Sequence, residues 1–71
     1  MVKLNGAEYA FQPDMSLKDL IDKHNTERNK VLGFDGFIII INNTALTEAQ
    51  ARERALQDND TINILPMIDG G

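Results

Sequence analysis

Residues 16–24, Ser-Leu-Lys-Asp-Leu-Ile-Asp-Lys-His, form the stretch that decides the fold, because they predict one amphipathic helix. The side chains expected on its buried face recur at i, i+3, i+4 and i+7, which is helical spacing. They are Leu17, Leu20, Ile21 and His24. Ser16 is a good N-cap, and Asp19 three residues later completes a capping box. We expect this helix to end near Asn25.

A β-hairpin is predicted before the helix. Apolar and polar residues alternate on both sides of Asn5-Gly6, a dipeptide that supplies the two positive-φ positions of a type I′ turn. With a two-residue loop, Leu4 lies opposite Ala7. By the same register Val2 lies opposite Tyr9, so the hairpin has one apolar face.

Another strand is predicted after the helix, at residues 37–41. This Phe-Ile-Ile-Ile-Ile run is rich in β-branched side chains and apolar on both faces. Asn42-Asn43 then turns the chain, and residues 44–46 can pair briefly with the strand before them.

A short surface helix and a last strand are predicted in the remainder of the chain. Thr47 and Gln50 have capping-box spacing, and residues 48–56 are rich in helix formers. Residues 58–60 form a turn, and residues 61–67 alternate again. The whole order predicts an α+β domain with a four- to five-stranded mixed sheet packed on one main helix. A connection containing the helix allows the first and last strands to be parallel neighbours.

The composition excludes several classes of protein. A chain of 71 residues and 7.9 kDa is one domain at most. It has no Cys, which excludes disulfide scaffolds and Cys-ligated zinc modules. Seven basic against eleven acidic side chains give a net charge of −4, which argues against nucleic acid as a partner. Neither a membrane span nor a signal peptide is visible, so we expect a cytoplasmic protein.

No catalytic residue and no metal site is predicted. The chain has one His, and Ser16 is already used as an N-cap. At the end of the helix, His24 is expected to complement the helix C-terminus with a positive charge. Asp58-Asn59-Asp60 lacks the other ligands of a calcium loop and is expected to be a solvated turn. We therefore expect a protein that is not an enzyme and binds no cofactor itself.

The predicted sheet carries more apolar side chains than one helix can cover. One face of residues 37–41, either the odd-numbered residues or Ile38 and Ile40, must point away from the helix. We assign the odd-numbered residues, with apolar residues of the last strand, to an exposed patch that binds a partner. The members of this patch are Phe37, Ile39, Ile41, Leu65 and Met67. The alternative is that residues 26–36 or 48–56 cover the surplus.

The last residues of the sequence are Ile68-Asp69-Gly70-Gly71. Glycine loses the most conformational freedom on ordering and has no side chain to bury, so residues 67–71 are expected to be a flexible tail. Such a tail is thin enough to enter a narrow active site on another protein. The group it presents is the α-carboxylate of Gly71, which needs activation before it reacts. The alternative is that the Gly-Gly is incidental.

These segments together resemble the ThiS family of sulfur carrier proteins, which have a ubiquitin-like β-grasp fold. The resemblance covers nearly the whole chain, and the Gly-Gly end is its most specific part. The segments that carry it are the hairpin around Asn5-Gly6, Ser16-Leu17 with Leu20-Ile21, residues 39–43, 58–60 and 61–65, and the ending 68–71. The resemblance implies a single β-grasp domain at residues 1–71 with the tail at 67–71.

The resemblance also implies a cycle of activation and sulfur transfer. An E1-like adenylyltransferase of the ThiF type would use ATP and Mg to adenylate Gly71, with Ile68, Asp69 and Gly70 entering its active site. A sulfur donor such as a cysteine desulfurase would convert the adenylate to a thiocarboxylate. A thiazole synthase of the ThiG type would then take the sulfur for thiamine biosynthesis. The alternatives are a MoaD-type carrier for molybdopterin synthesis, a ubiquitin-like modifier conjugated through Gly71, and a plain interaction module.

Overall fold

The computed structural model describes residues 1–68. In chain order the elements are β1 (Val2–Leu4), β2 (Ala7–Tyr9), α1 (Leu17–Arg28), β3 (Phe37–Ile41), β4 (Thr44–Leu46), α2 (Glu48–Glu53) and β5 (Thr61–Pro66). The strands form one five-stranded sheet in the order β2-β1-β5-β3-β4. Only β1 and β5 pair in parallel, and the other neighbours are antiparallel. This confirms the predicted α+β architecture and its ubiquitin-like β-grasp form.

The N-terminal hairpin has the predicted turn and register. Asn5 and Gly6 both adopt positive φ, at 50° and 85°. Leu4 pairs with Ala7 and Val2 with Tyr9, and all four side chains are buried. The two-residue turn therefore fixes which face of β1 and β2 enters the core.

Helix α1 begins as predicted and ends later than predicted. The Ser16 hydroxyl accepts a hydrogen bond from the Asp19 N–H at 3.0 Å, and the Asp19 carboxylate accepts one from the Ser16 N–H at 3.3 Å. The helix continues beyond Asn25 to Arg28, because the residue that adopts the left-handed conformation and ends it is Asn29, with φ 54°. The Asn25 side chain instead exchanges two hydrogen bonds of 2.9 Å with the Leu32 backbone, which holds the following loop against the helix.

The short elements after β3 also follow local sequence signals. Asn42 and Asn43 form the β3–β4 turn with positive φ angles of 51° and 70°. Thr47 and Gln50 form the predicted capping box of α2. This helix is not wholly on the surface, because Ala51 is fully buried in the core.

The core lies between α1 and one face of the sheet. The whole predicted stripe of α1 is buried. Opposite it lie the core-facing side chains of three strands, which are Val2, Leu4, Ile39, Ile41, Ile62 and Ile64. Burial of such aliphatic side chains contributes about 1.5–3 kcal/mol each to folding.

The assignment of the odd-numbered residues of β3 to an exposed patch is wrong. Ile39 and Ile41 are 1% and 3% exposed, and Phe37 is half-buried against the core. The reason is the register with β5, which sets Ile39 opposite Ile64 and Ile41 opposite Ile62, on the face that α1 covers.

The turn before β5 contains a buried carboxylate, where a solvated turn was predicted. Asp60 is 3% exposed. Its Oδ1 accepts hydrogen bonds from the Asn42 side-chain amide at 2.9 Å and from the Arg54 guanidinium at 3.3 Å. Its Oδ2 accepts one from the Gln57 N–H at 2.8 Å. One carboxylate thus joins the β3–β4 turn, the end of α2 and the entry to β5.

A second buried polar contact links β2 to α1. His24 is 3% exposed, and its Nδ1 lies 2.6 Å from the Tyr9 hydroxyl oxygen. Burial, and then the positive charges of Arg28 and Lys30, lower the pKa of His24. The expected positive charge at this position is therefore wrong, since the folded protein favours the neutral ring.

We expect Asp60→Ala to lower the free energy of unfolding by about 1.5–3 kcal/mol. The reason is that the groups of Asn42, Arg54 and Gln57 that donate to the Asp60 carboxylate would lose their acceptor. Chemical denaturation monitored by circular dichroism measures this. Asp35→Ala removes the same charge at an exposed loop position and is the control, with an expected change of less than about 0.5 kcal/mol. Equal stability of the two variants would contradict a structural role for Asp60.

We expect the free energy of unfolding to fall as the pH is lowered from 7.5 to 5.5 (about one unit either side of 6.5). The unfolded chain has His24 at its ordinary pKa of 6.5, and the folded protein has it lower. The unfolded state therefore binds more protons below pH 6.5, so acid favours unfolding. Denaturant titrations at several pH values measure the slope. His24→Gln, which cannot titrate, should flatten it, and an unchanged slope would show that His24 is not its source.

Candidate partner surface and tail exit

The tail leaves from the end of the central strand β5. This strand has β1 on one edge and β3 on the other. Its pairing with β3 continues one residue past Pro66, because the Met67 N–H donates to the Gly36 carbonyl at 2.8 Å. Gly36 has a φ of 81°, a conformation that glycine adopts without strain. The backbone is thus held as far as Met67, and Ile68 is 85% exposed.

The residues predicted to carry the chemistry lie outside the described part of the chain. They are Asp69, Gly70 and Gly71. Modification of Gly71 and entry of these residues, with Ile68, into a partner's active site stay predictions.

An apolar area occupies the sheet face opposite α1, beside the start of the tail. Ile38 and Leu65 face each other across β3 and β5 and are 39% and 50% exposed. Met67 is 59% exposed, and Ile40 is half-buried on the same face. We call these four residues the outer patch. Exposed large apolar side chains that adjoin one another commonly mark a surface that binds another protein.

The other half of this face is polar. Lys3 and Glu8 form a salt bridge of 3.8 Å between β1 and β2, and Thr61 lies opposite Lys3 in the register of β1 and β5. The apolar character is therefore confined to the β3 side and to the end of β5 from which the tail leaves.

The structure sorts the predicted patch residues by burial. The exposure of Leu65 and Met67 is confirmed, Phe37 is half-buried against the core, and Ile39 and Ile41 belong to the core. Sequence reasoning gave the outer-face role to the wrong half of β3, and so Ile38 and Ile40 are missing from the predicted patch. The useful signal was the alternation of Ile62 and Ile64 with polar residues in β5, but it identifies the outer residues of β3 only once the register is known.

The ionisable side chains of residues 1–68 are the other candidates for a functional site. Among residues 1–68, no three His, Asp or Glu side chains are grouped so that they could hold a metal ion. His24 and Tyr9 are hydrogen-bonded to each other inside the core. In the same part of the chain, neither helix has the length and apolar character needed to cross a membrane.

Comparison with known proteins agrees with this arrangement. The sequence model of the ThiS family matches residues 2–71, from the first residue of β1 to the final glycine. No curated protein matches the chain closely. Since the family match spans almost every residue and the fold is the β-grasp expected of it, the chain belongs to the ThiS family of sulfur carrier proteins.

Proposed function

We propose that the chain carries sulfur as a thiocarboxylate on Gly71 for thiamine biosynthesis. An E1-like adenylyltransferase of the ThiF type joins the Gly71 carboxylate to the AMP part of ATP and releases pyrophosphate, with Mg as the metal cofactor of that enzyme. The terminal sulfur of a donor persulfide, such as that of a cysteine desulfurase, displaces AMP from the acyl carbon. A thiol then cleaves the resulting acyl disulfide, which leaves the thiocarboxylate on Gly71 and a disulfide on the thiol and the donor. A thiazole synthase of the ThiG type then accepts that sulfur.

The observation that supports this proposal most directly is the family match, which extends through Gly71. A terminal thiocarboxylate also suits the composition, because a chain without Cys has no side-chain thiol on which to hold sulfur. Gly70 and Gly71 have no Cβ, which permits an enzyme to approach the backbone closely.

The position of the tail supports the same proposal. The tail begins at a strand that is paired on both edges, so its base has a fixed position relative to the outer patch. A partner that binds the outer patch thereby receives the tail at a defined place. This preorganisation reduces the entropy that ordering would otherwise cost on binding.

When the protein is made together with its activating enzyme and a sulfur donor, we expect its intact mass to rise. The rise should equal the difference between a sulfur and an oxygen atom, because sulfur replaces one oxygen of the Gly71 carboxylate. Intact-mass spectrometry measures this gain. A variant that lacks Gly71 is the control and should show no gain. If the wild-type protein stays unmodified while the same enzyme converts another family member, the proposed chemistry is wrong.

Deletion of the gene identifies the acceptor of the sulfur. We expect a requirement for thiamine or its thiazole precursor, relieved by the wild-type gene and not by one that lacks the Gly71 codon. Loss of molybdenum-enzyme activity instead would indicate a molybdopterin carrier. A ladder of protein conjugates that depends on Gly71 would indicate a modifier.

We expect Leu65→Asp to weaken binding to the activating enzyme by about tenfold or more, because it places a charge in the apolar centre of the interface. The fold should persist, since Leu65 is half exposed. Isothermal titration calorimetry measures the binding and thermal unfolding checks the fold. Ala49→Asp introduces the same charge at an exposed apolar position of α2, outside the outer patch, and is the control. Equal binding of the two variants would remove Leu65 from the interface.

A further inference from the structure

A cleft of about 370 Å³ lies between the end of α1 and the end of β5. Arg28, Lys30 and His24 line one side of it, and Ile64, Leu65 and Pro66 line the other. The cleft therefore combines an apolar wall with cationic side chains. Leu65 belongs both to this wall and to the outer patch, so the two surfaces are continuous.

The cations of this cleft differ from the other basic side chains of the protein. Five of the seven Lys and Arg residues form salt bridges with Asp or Glu. Arg28 and Lys30 are the remaining two. Neither forms a salt bridge, with a nitrogen–oxygen distance of 4.0 Å or less, to a carboxylate of residues 1–68. In a chain with a net charge of −4, the basic groups without such a partner are thus gathered at one place.

The charge of the two side chains acts within the cleft. Arg28 and Lys30 line the cleft together with His24, and their positive charges, after burial, lower the pKa of that ring against an opposing effect of Glu27. Elsewhere, the net negative charge of the protein repels an approaching carboxylate. A carboxylate therefore finds complementary charge at this cleft more readily than at the surrounding surface.

The cleft also has a fixed relation to the tail. Pro66 is the last residue of β5, and Met67 begins the segment that leads to Gly71. A protein that encloses the tail must surround the end of β5, so its surface reaches the cleft as well as the outer patch.

We propose that this cleft binds an acidic segment of the activating enzyme, with an Asp or Glu carboxylate between Arg28 and Lys30 and an apolar neighbour against Leu65 and Pro66. The inference rests on the proposed function, because it assigns the cleft to the enzyme that receives the tail. It adds a charged contact to the apolar one and gives the enzyme a means of discriminating between carriers of the same fold.

The test compares two charge reversals of equal size. Arg28→Glu with Lys30→Glu alters the cleft, and Lys18→Glu with Lys23→Glu alters the solvent-facing side of α1 by the same amount. Calorimetric titration of the activating enzyme measures Kd for both variants and the wild type at low and high salt. Thermal unfolding confirms that each variant is folded. We expect the cleft variant to bind about tenfold or more weakly at low salt, and the control within about threefold of the wild type.

A second comparison separates this inference from the carrier chemistry. Gly70 and Gly71 are removed both from the cleft variant and from the protein with an unchanged cleft. The ratio of the two Kd values should then equal the ratio measured with the full-length proteins, because the cleft lies upstream of the residues that react. Replacement by Lys of an Asp or Glu in the enzyme's interface should restore binding of the cleft variant.

Three results would overturn the inference. They are equal weakening by the cleft and control reversals, no weakening by either, and no restoration by any acidic-to-Lys change in the enzyme's interface. If the wild-type protein gains sulfur at Gly71 while the cleft variant binds normally, this inference fails and the carrier function stands. If the wild-type protein does not bind the enzyme, both fail together.

Discussion

The parallel pairing of β1 with β5 is the constraint on which the rest of the structure depends. The ladder is short. It is held by two backbone hydrogen bonds of 2.9 Å, from the Lys3 N–H to the Asp60 carbonyl and from the Asn5 N–H to the Ile62 carbonyl. The Asn5 side chain extends it, donating to the Ile64 carbonyl at 3.0 Å and accepting from the Ile64 N–H at 2.7 Å. One residue therefore forms the hairpin turn and replaces the next step of the ladder, which keeps β5 bonded on both edges.

A central β5 determines both the core and the candidate site. With β1 on one side and β3 on the other, its apolar side chains Ile62 and Ile64 lie at the middle of the face that α1 covers. Residues 1–68 contain one long helix for a sheet with two faces, so Leu65 near the end of β5 and its neighbour Ile38 in β3 are left exposed. The strand that completes the fold is also the one that positions the tail, and stability and tail presentation therefore depend on the same hydrogen bonds.

Local sequence signals predicted the fold well, and signals that depend on distant contacts did not. The Asn5-Gly6 turn and the capping boxes of both helices involve residues three or fewer apart, and each is present as predicted. The face of β3 depends on its register with β5, which lies more than twenty residues later, and a run apolar on both faces contains no information about it. The burial of Asp60 depends in part on such a contact, because Asn42, which donates to its Oδ1, is eighteen residues away.

The arrangement around the end of β5 places different chemistries on either side of the tail. The outer patch offers apolar area toward β3, the cleft offers two cations toward the end of α1, and Leu65 adjoins both. An apolar patch alone discriminates weakly between partners, since most interfaces contain one. A cationic pair beside it penalises any partner that lacks a carboxylate at that point, because burying Arg28 and Lys30 without a counter-charge is costly. If the proposed function holds, this second contact would give the carrier selectivity among enzymes, while the apolar contact and the backbone held as far as Met67 would be common to its partners.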